Sequence, residues 1–408
     1  MLRLASTNRV TELFSVSGYR PLWLGAVLFA LGAWSERVAV GWYVFETTDS
    51  AFITSLATTA FIAPSLLVGP IGGAISDRLP RPNVLATAAL LKASPMFVIA
   101  FLVRDAEASL PLILLLLMVS GVGISLNISS LHTLSGDLVG AQRRARAISV
   151  VSTGQRAIAA AGALGSGALI TAYGATPAFL LAGSALVLAA LSYRMVREPS
   201  VRRGSSGMSF LGEAVDGLRL VTRIPFVAIM LALTVIVEIF GFAFMSLFPA
   251  MVERNLHLEA NALGALTAAA SIGGVVGTLT LAFVADRRRL GVVFLVVIAI
   301  FGVLMATIGV SEWFRLSLAL AGGIGCCAAM FDALQWILLQ AGVDDSLRGR
   351  ALGAWNVAIG FGWIGPLALG GVADAVSVTA AFVLAGIVLV VTASIVAVGA
   401  KQIRTMAG

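Results

Sequence analysis

The chain has 408 residues, of which 59% are hydrophobic and only 12% are charged, and its mean hydropathy is +1.00. Because a soluble domain carries about 25% charged residues, this composition excludes a soluble globular protein. The formal charge of +7 would suggest a nucleic-acid partner in a soluble chain, but here the position of the basic residues decides their meaning.

Hydrophobic runs along the chain predict twelve membrane-spanning helices. A span needs about 20 apolar residues, so the roughly 240 apolar residues here would supply about twelve spans. Frequent glycine and alanine are typical of helices packed closely in lipid, and the alternating strands of a membrane barrel do not occur, so we expect an all-α fold. The predicted spans are 21–46, 51–76, 83–103, 110–135, 146–171, 176–196, 224–250, 260–285, 290–310, 315–340, 351–373 and 377–399.

Basic residues lie mostly on one side of this predicted topology. Positive residues in short loops stay in the cytoplasm. Of the 27 Lys and Arg residues, 21 fall on the side of the N-terminus, whereas the opposite loops contain only Arg104, Arg254 and Arg315. We therefore expect both termini in the cytoplasm and no nucleic-acid partner. The long hydrophilic stretch 197–223 predicts a cytoplasmic linker between two six-helix bundles, 1–196 and 224–408.

Two loop motifs recur in the same order in both halves, which indicates a duplication. Asp77-Arg78 follows the second span and Asp286-Arg287 follows the eighth, while Arg144-Ala-Arg146-Ala and Arg348-Gly-Arg350-Ala begin the fifth and eleventh. The first loop, with Gly73, Asp77, Arg78 and Arg81 in register, resembles the signature of the major facilitator superfamily, although Pro80 and Pro82 depart from it. The resemblance implies two six-helix bundles related by an axis along the membrane normal.

Within that superfamily the chain resembles bacterial exporters of the drug:proton antiporter-3 type, which carry siderophores or macrolides. The supporting features are the compact length, the Arg-x-Arg-Ala motif and Arg156 in the fifth span, but the Gly-Pro signature of exporters is missing there. We expect Asp77, Arg78, Arg81, Asp286 and Arg287 to gate the cytoplasmic side through charge-assisted bonds between the halves. The alternative is that they only anchor the topology.

Seven ionisable residues lie at membrane depth, where each charge costs about 2.5–3.5 kcal/mol and needs a reason. They are Glu36, Arg37, Lys92, His132, Arg156, Glu238 and Asp332. The resemblance implies that spans 1, 4, 7 and 10 line a central cavity, and Glu36, His132, Glu238 and Asp332 fall one on each of them. Carboxylates followed by aromatic residues would suit a cationic or amphipathic guest, or equally a proton carrier. The predicted substrate and proton site comprises Glu36, Arg37, His132, Arg156, Glu238, Asp332 and Gln335.

Several of the ionisable residues also have a structural interpretation. Asp332, for example, could make a polar contact to Lys92 or to the backbone. Glu36 could form a fixed ion pair, for which Arg156 is a better candidate than its neighbour Arg37 because adjacent side chains diverge on a helix. His132 could simply hydrogen-bond a neighbouring helix, and we expect Lys92 to extend toward the cytoplasmic surface.

No phosphate loop, metal-ligand motif or catalytic motif occurs, so we expect neither an enzyme nor a cofactor or metal site. The sequence therefore predicts a monomeric, proton-coupled exporter of amphipathic small molecules in the lipids of a bacterial cytoplasmic membrane, working by alternating access. An uptake transporter or facilitator, and a lysolipid or lipid translocator on the same fold, stay open as alternatives.

Overall fold

The helices of the first half follow the apolar runs closely. The structure, a computed structural model, describes residues 12–64, 78–104, 109–197, 224–284, 289–344, 347–400 and 403. Two helices end at glycines with positive φ, Gly140 and Gly174, a conformation that glycine adopts without a steric penalty. The helices are α1 (Tyr19–Thr48), α2 (Ala51–Ile62), α3 (Arg81–Arg104), α4 (Leu110–Val139), α5 (Arg144–Tyr173) and α6 (Ala175–Arg194).

The second half contains six further helical segments, two of which are interrupted. Helix α7 (Pro225–Asn255) includes two π-helical turns, Val237–Gly241 and Met251–Asn255. Helix α11 consists of Arg348–Ile359, a 3₁₀ turn Gly360–Trp363 and Ile364–Ala375. The uninterrupted helices are α8 (Ala260–Val284), α9 (Leu290–Gly309), α10 (Phe314–Ala341) and α12 (Val378–Gly399).

Among the described residues, ten helices are long and apolar enough to cross a membrane. The two exceptions are α2, whose described part is only 12 residues long, and α5. Helix α5 has 30 residues, but its three arginines and many small residues make it less apolar than the others. All twelve predicted spans nevertheless overlap a helix of the structure.

Helix contacts form two units. One comprises Met1–Tyr43 and Ala60–Ser206, and the other comprises Val44–Thr59 and Gly207–Gly408. The turn between α1 and α2 therefore packs with the second unit, although it comes from the first half of the sequence. We refer to the residues 44–59 as the α1–α2 hairpin.

The two halves repeat the same helix pairings. Helix α3 packs on α6 in the first half, and α9 packs on α12 in the second. Likewise, α2 meets α4 at Phe61 and Gly121, and α8 packs on α10. Helix α1 is joined to α5 by a hydrogen bond from Ser35 Oγ to the Gly162 carbonyl (3.1 Å), and α7 packs on α11 in the corresponding way. This repetition is the architecture that the duplicated loop motifs predict.

Candidate functional site

A buried ion pair lies inside the first unit, between α1 and α3. Glu36 and Lys92 are in direct contact through Oε2 and Nζ, and their exposed fractions are 1% and 0%. Ser120 of α4 joins them: its hydroxyl donates to Glu36 Oε1 (2.5 Å) and accepts from Lys92 Nζ (3.1 Å). Three helices therefore supply one polar network, in which each charge is neutralised or hydrogen-bonded as burial requires.

This pairing corrects two expectations. The partner of Glu36 is Lys92, because Lys92 points into the unit and does not extend to the membrane surface. The side chain of Arg156 is exposed on α5, so the predicted Glu36–Arg156 pair is wrong. Small residues make the approach of α3 to α4 possible: a Cβ added at Gly123 would lie only 2.5 Å from the carbonyl oxygen of Ala88.

Arg37 lies beside this network and contacts aromatic rings. Its guanidinium carbon is 4.9 Å from the Trp34 ring centroid and 5.6 Å from that of Phe61, and Lys92 Nζ is 4.2 Å from the Phe61 centroid. Such contacts stabilise cations by about 0.5–2 kcal/mol, more when water is excluded. Both cations of this cluster therefore face aromatic rings.

A second group of charged residues lies in the second unit. Glu238 of α7 and Asp332 of α10, both partly buried, are close enough for their charges to interact. Glu238 lies in the π-helical turn Val237–Gly241, where the chain is wider than an α-helix; such turns are frequent at functional sites. A Cβ at Gly362 of α11 would lie 3.1 Å from Glu238 Oε2, so a glycine leaves room for this carboxylate.

Aromatic and amide groups extend this acidic surface along α10 and α11. Trp336 lies one helical turn beyond Asp332, on the same face, and is 41% exposed. Its ring contacts Trp355 edge to face, with centroids 5.1 Å apart. Gln335 is fully buried and accepts a hydrogen bond from Thr234 Oγ1 (2.9 Å), so it joins α10 to α7 inside the unit.

Two N–H donors near this surface, one from an indole and one from a side-chain amide, are buried without an acceptor among the described residues. They are Nε1 of Trp355 and Nε2 of Gln335. Buried donors are normally satisfied, so a bound molecule with acceptor atoms would find partners here. The second unit thus combines two carboxylates, two indoles and two available donors.

Comparison with known proteins identifies the family. A family model described as transmembrane secretion effector matches residues 12–406 of this chain. The chain belongs to the major facilitator superfamily. A transporter of this type from Sinorhizobium fredii, y4rN, which is uncharacterised, is 26% identical over 381 residues, or 91% of this chain and 88% of that protein.

Solved structures of transporters share the fold at low sequence identity. A variant of the nucleoside transporter NupG superimposes with a TM-score of 0.76 at 14% identity, covering 94% of this chain and all of that one. A bacterial homologue of the human lysosomal transporter Spinster, in an inward-facing unoccupied conformation, gives 0.69 at 15% identity and covers 94% and 96%. The predicted all-α, twelve-helix major facilitator fold is therefore confirmed.

The other residues of the predicted site and of the predicted gate lie apart from the clusters around Glu36 and Glu238. His132 is exposed on α4, and Arg78 is exposed at the start of the described segment before α3. Arg81 is buried and forms an ion pair with Asp137 at the end of α4. Asp77, Asp286 and Arg287 lie outside the described residues, so their predicted gating role stays a prediction.

The transporter also contains functional candidates that sequence reasoning missed. Asp137 forms an ion pair with Arg81, and its Oδ1 lies 3.9 Å from Nη2 of Arg144. All three residues lie at connections that follow even-numbered helices. A buried lysine requires an anion, and this rule applied to Lys92 restricts its partner to the acidic residues of the spans, among them Glu36. Trp355 carries no signal in the sequence, because only the fold brings it to Trp336.

Proposed function

We propose that this multi-pass major facilitator transporter exports amphipathic organic cations in exchange for protons, by alternating access, across a bacterial cytoplasmic membrane with both termini inside. Export is supported by the family's description as a secretion effector. The observation that carries the substrate class is the pair of carboxylates, Glu238 and Asp332, beside the Trp336–Trp355 pair.

A cation would be recognised there by two different interactions. The carboxylates supply negative charge, and the faces of the indole rings attract a cation within about 6 Å of the ring centroid. At the cluster in the first unit, by contrast, Lys92 neutralises Glu36. The second unit is therefore the better candidate for binding a cation.

The same two carboxylates provide a route to proton coupling. Because Glu238 lies partly buried beside another carboxylate, a proton or a cation at Glu238 relieves the repulsion between them. A guest cation and a proton would compete for that place. Such competition exchanges one for the other, which is the requirement for an antiporter.

The test is dye accumulation in proteoliposomes with an imposed proton gradient. A fluorescent lipophilic cation should accumulate only when the gradient is present, and a neutral dye of similar shape should not. Glu238→Gln and Asp332→Asn should each abolish accumulation, whereas Glu312→Gln, which changes an exposed carboxylate of the same unit, should not. Accumulation that ignores the gradient, or that survives both substitutions, would refute proton-coupled export of cations.

The aromatic pair gives a separate test of the substrate class. Trp355→Leu should weaken binding of the cationic dye about 2- to 30-fold, the range that corresponds to a lost cation–π contact of about 0.5–2 kcal/mol. Binding of the neutral dye should change less. Equal loss for both dyes would mean that the indoles only shape the surface.

A further inference from the structure

Three chain segments that are distant in sequence meet at one arginine of the second unit. Arg254, in the second π-helical turn of α7, donates from Nη1 to Asp374 Oδ1 (3.0 Å) at the end of α11. It also donates from Nη2 to the carbonyl oxygen of Asp49 (2.5 Å) and to Asp49 Oδ1 (3.1 Å) in the α1–α2 hairpin. Its guanidinium carbon lies 5.1 Å from the ring centroid of Phe45.

Asp374 in turn holds the first residues of α2. Its carboxylate accepts hydrogen bonds from the backbone N–H groups of Ala51 and Phe52, both at 2.9 Å, and from the hydroxyl of Ser50 at 2.6 Å. The first N–H groups of a helix have no partner within the helix, and an acidic side chain there is favourable. One carboxylate of α11 thus caps α2 and binds Arg254 at the same time.

The backbone is shaped for this contact. Asp49 has a φ of +45°, a left-handed conformation that a non-glycine residue adopts rarely and that turns the chain from α1 into α2. A Cβ at Gly370 of α11 would lie 2.5 Å from Ser55 Oγ and 2.8 Å from the Ala51 carbonyl oxygen, so glycine permits the close approach of α2. Ser55 is completely buried as a result.

The hairpin is also continuous with the first unit. Helix α1 contributes its residues up to Tyr43 to the first unit, and the chain returns to that unit at Ala60. A transporter with alternating access changes the arrangement of its two halves during each cycle. The hairpin contacts are therefore a place in the second unit on which such a change can act directly.

We infer that Arg254 and Asp374 form a latch that is closed in one state of the transport cycle and open in the other, on the membrane side opposite the termini. The contacts join connections that all follow odd-numbered helices, which places them on that side when the N-terminus is cytoplasmic. Arg254 and Asp374 are positioning residues: they act on the equilibrium between states and not on the substrate. This inference does not depend on the substrate or on proton coupling.

The latch also accounts for an exception in the sequence. Arg254 is one of only three basic residues in the loops predicted to face away from the cytoplasm. Retention of positive charge on the cytoplasmic side opposes a basic residue there. A specific role in binding Asp49 and Asp374 gives a reason for its presence.

The test measures how often the hairpin leaves α11. The reporter is Ser55→Cys, a near-isosteric change at a buried position, in a chain where Cys326 is replaced by alanine and the buried Cys327 is kept. A membrane-impermeant maleimide should label residue 55 slowly in this background. Asp374→Ala should speed that labelling at least tenfold, a shift of about 1.4 kcal/mol in the opening equilibrium.

Additional variants separate the latch from a loss of folding. Arg254→Gln should speed labelling less than Asp374→Ala does, because Arg254→Gln leaves the Asp374 cap on α2 in place. In a protein that already carries Asp374→Ala, Arg254→Gln should speed labelling less than it does in the wild-type background. Arg315→Gln, at an exposed arginine of the same unit, should have no effect. Labelling of Cys327 should stay slow throughout.

Two results would overturn the inference. One is labelling of residue 55 at the same rate with and without Asp374 and Arg254. The other is equal acceleration at residue 55 and Cys327, since this would show general unfolding of the unit. If Asp374→Ala does not fold, Asp374→Asn, which keeps an acceptor for the α2 backbone, should still speed labelling selectively at residue 55.

Discussion

The ion pair between Glu36 and Lys92 should stabilise the first unit only while both partners are present. Replacing one partner leaves a buried charge without its counter-ion, which typically costs about 3–5 kcal/mol. Because exposed fractions of 1% and 0% leave no access to water, we expect Lys92→Met to lower the free energy of unfolding by an amount in that range. Glu36→Gln should have an effect of the same order, since it isolates the cation.

The double substitution provides the decisive comparison. Glu36→Gln with Lys92→Met removes both charges and leaves side chains of similar size, so it should recover most of the lost stability. Ser120 can keep its hydrogen bond to the oxygen of the new amide, because its hydroxyl already donates to Glu36 Oε1. The control is Arg156→Gln, which alters an exposed cation of the same unit and should change stability little.

The measurement is unfolding of the purified transporter by SDS in mixed micelles, followed by far-UV circular dichroism. A double-substituted protein that is no more stable than either single variant would refute the reasoning, as would single variants with wild-type stability. The same proteins test function: if Glu36 serves the structure, the double variant should still accumulate the cationic dye. Loss of accumulation in a stable double variant would instead return Glu36 to the substrate or proton site.

Two further predictions concern close packing in the second unit. Gly365→Ala should strongly reduce the yield of folded protein, because its Cβ would lie 1.9 Å from the Ile239 carbonyl oxygen. The matched control is Gly371→Ala, whose Cβ would have its nearest neighbouring atom 3.8 Å away. Equal yields of the two variants by size-exclusion chromatography would contradict the prediction. Thr234→Val should destabilise by about 1–3 kcal/mol in the SDS titration, because it removes the hydrogen bond to buried Gln335, and an unchanged midpoint would show that this bond contributes nothing.

The sequence was sufficient to predict the helices but only part of their contacts. Hydropathy locates spans well because each must bury about 20 apolar residues, and the predicted span 290–310 coincides with Leu290–Gly309. The acidic pair Glu238–Asp332 was also within reach, since both residues are costly in a membrane. In each case a local property of the chain carries the information.

Contacts between distant helices could not be derived in this way. Glu36 and Lys92 meet because the fold brings α1 and α3 together, and hydropathy does not report which helices are neighbours. Asp49, Arg254 and Asp374 fall in three separate loops of the predicted topology, and each looks in the sequence like an ordinary solvated charge at the end of a span. Only the assembled fold distinguishes them from other loop charges.

The π-helical turn at Val237–Gly241 makes the position of Arg254 depend on how the middle of α7 is wound. A π-helical turn holds one residue more than an α-helical turn over nearly the same rotation, and each residue of an α-helix advances the chain by about 100° around the axis. A substitution that converts this turn to α-helix would therefore rotate everything beyond it by about that angle. Such a change would preserve the hydropathy and the residue count of α7, yet it would turn Arg254 away from Asp374, so the winding of this turn constrains the distant hairpin.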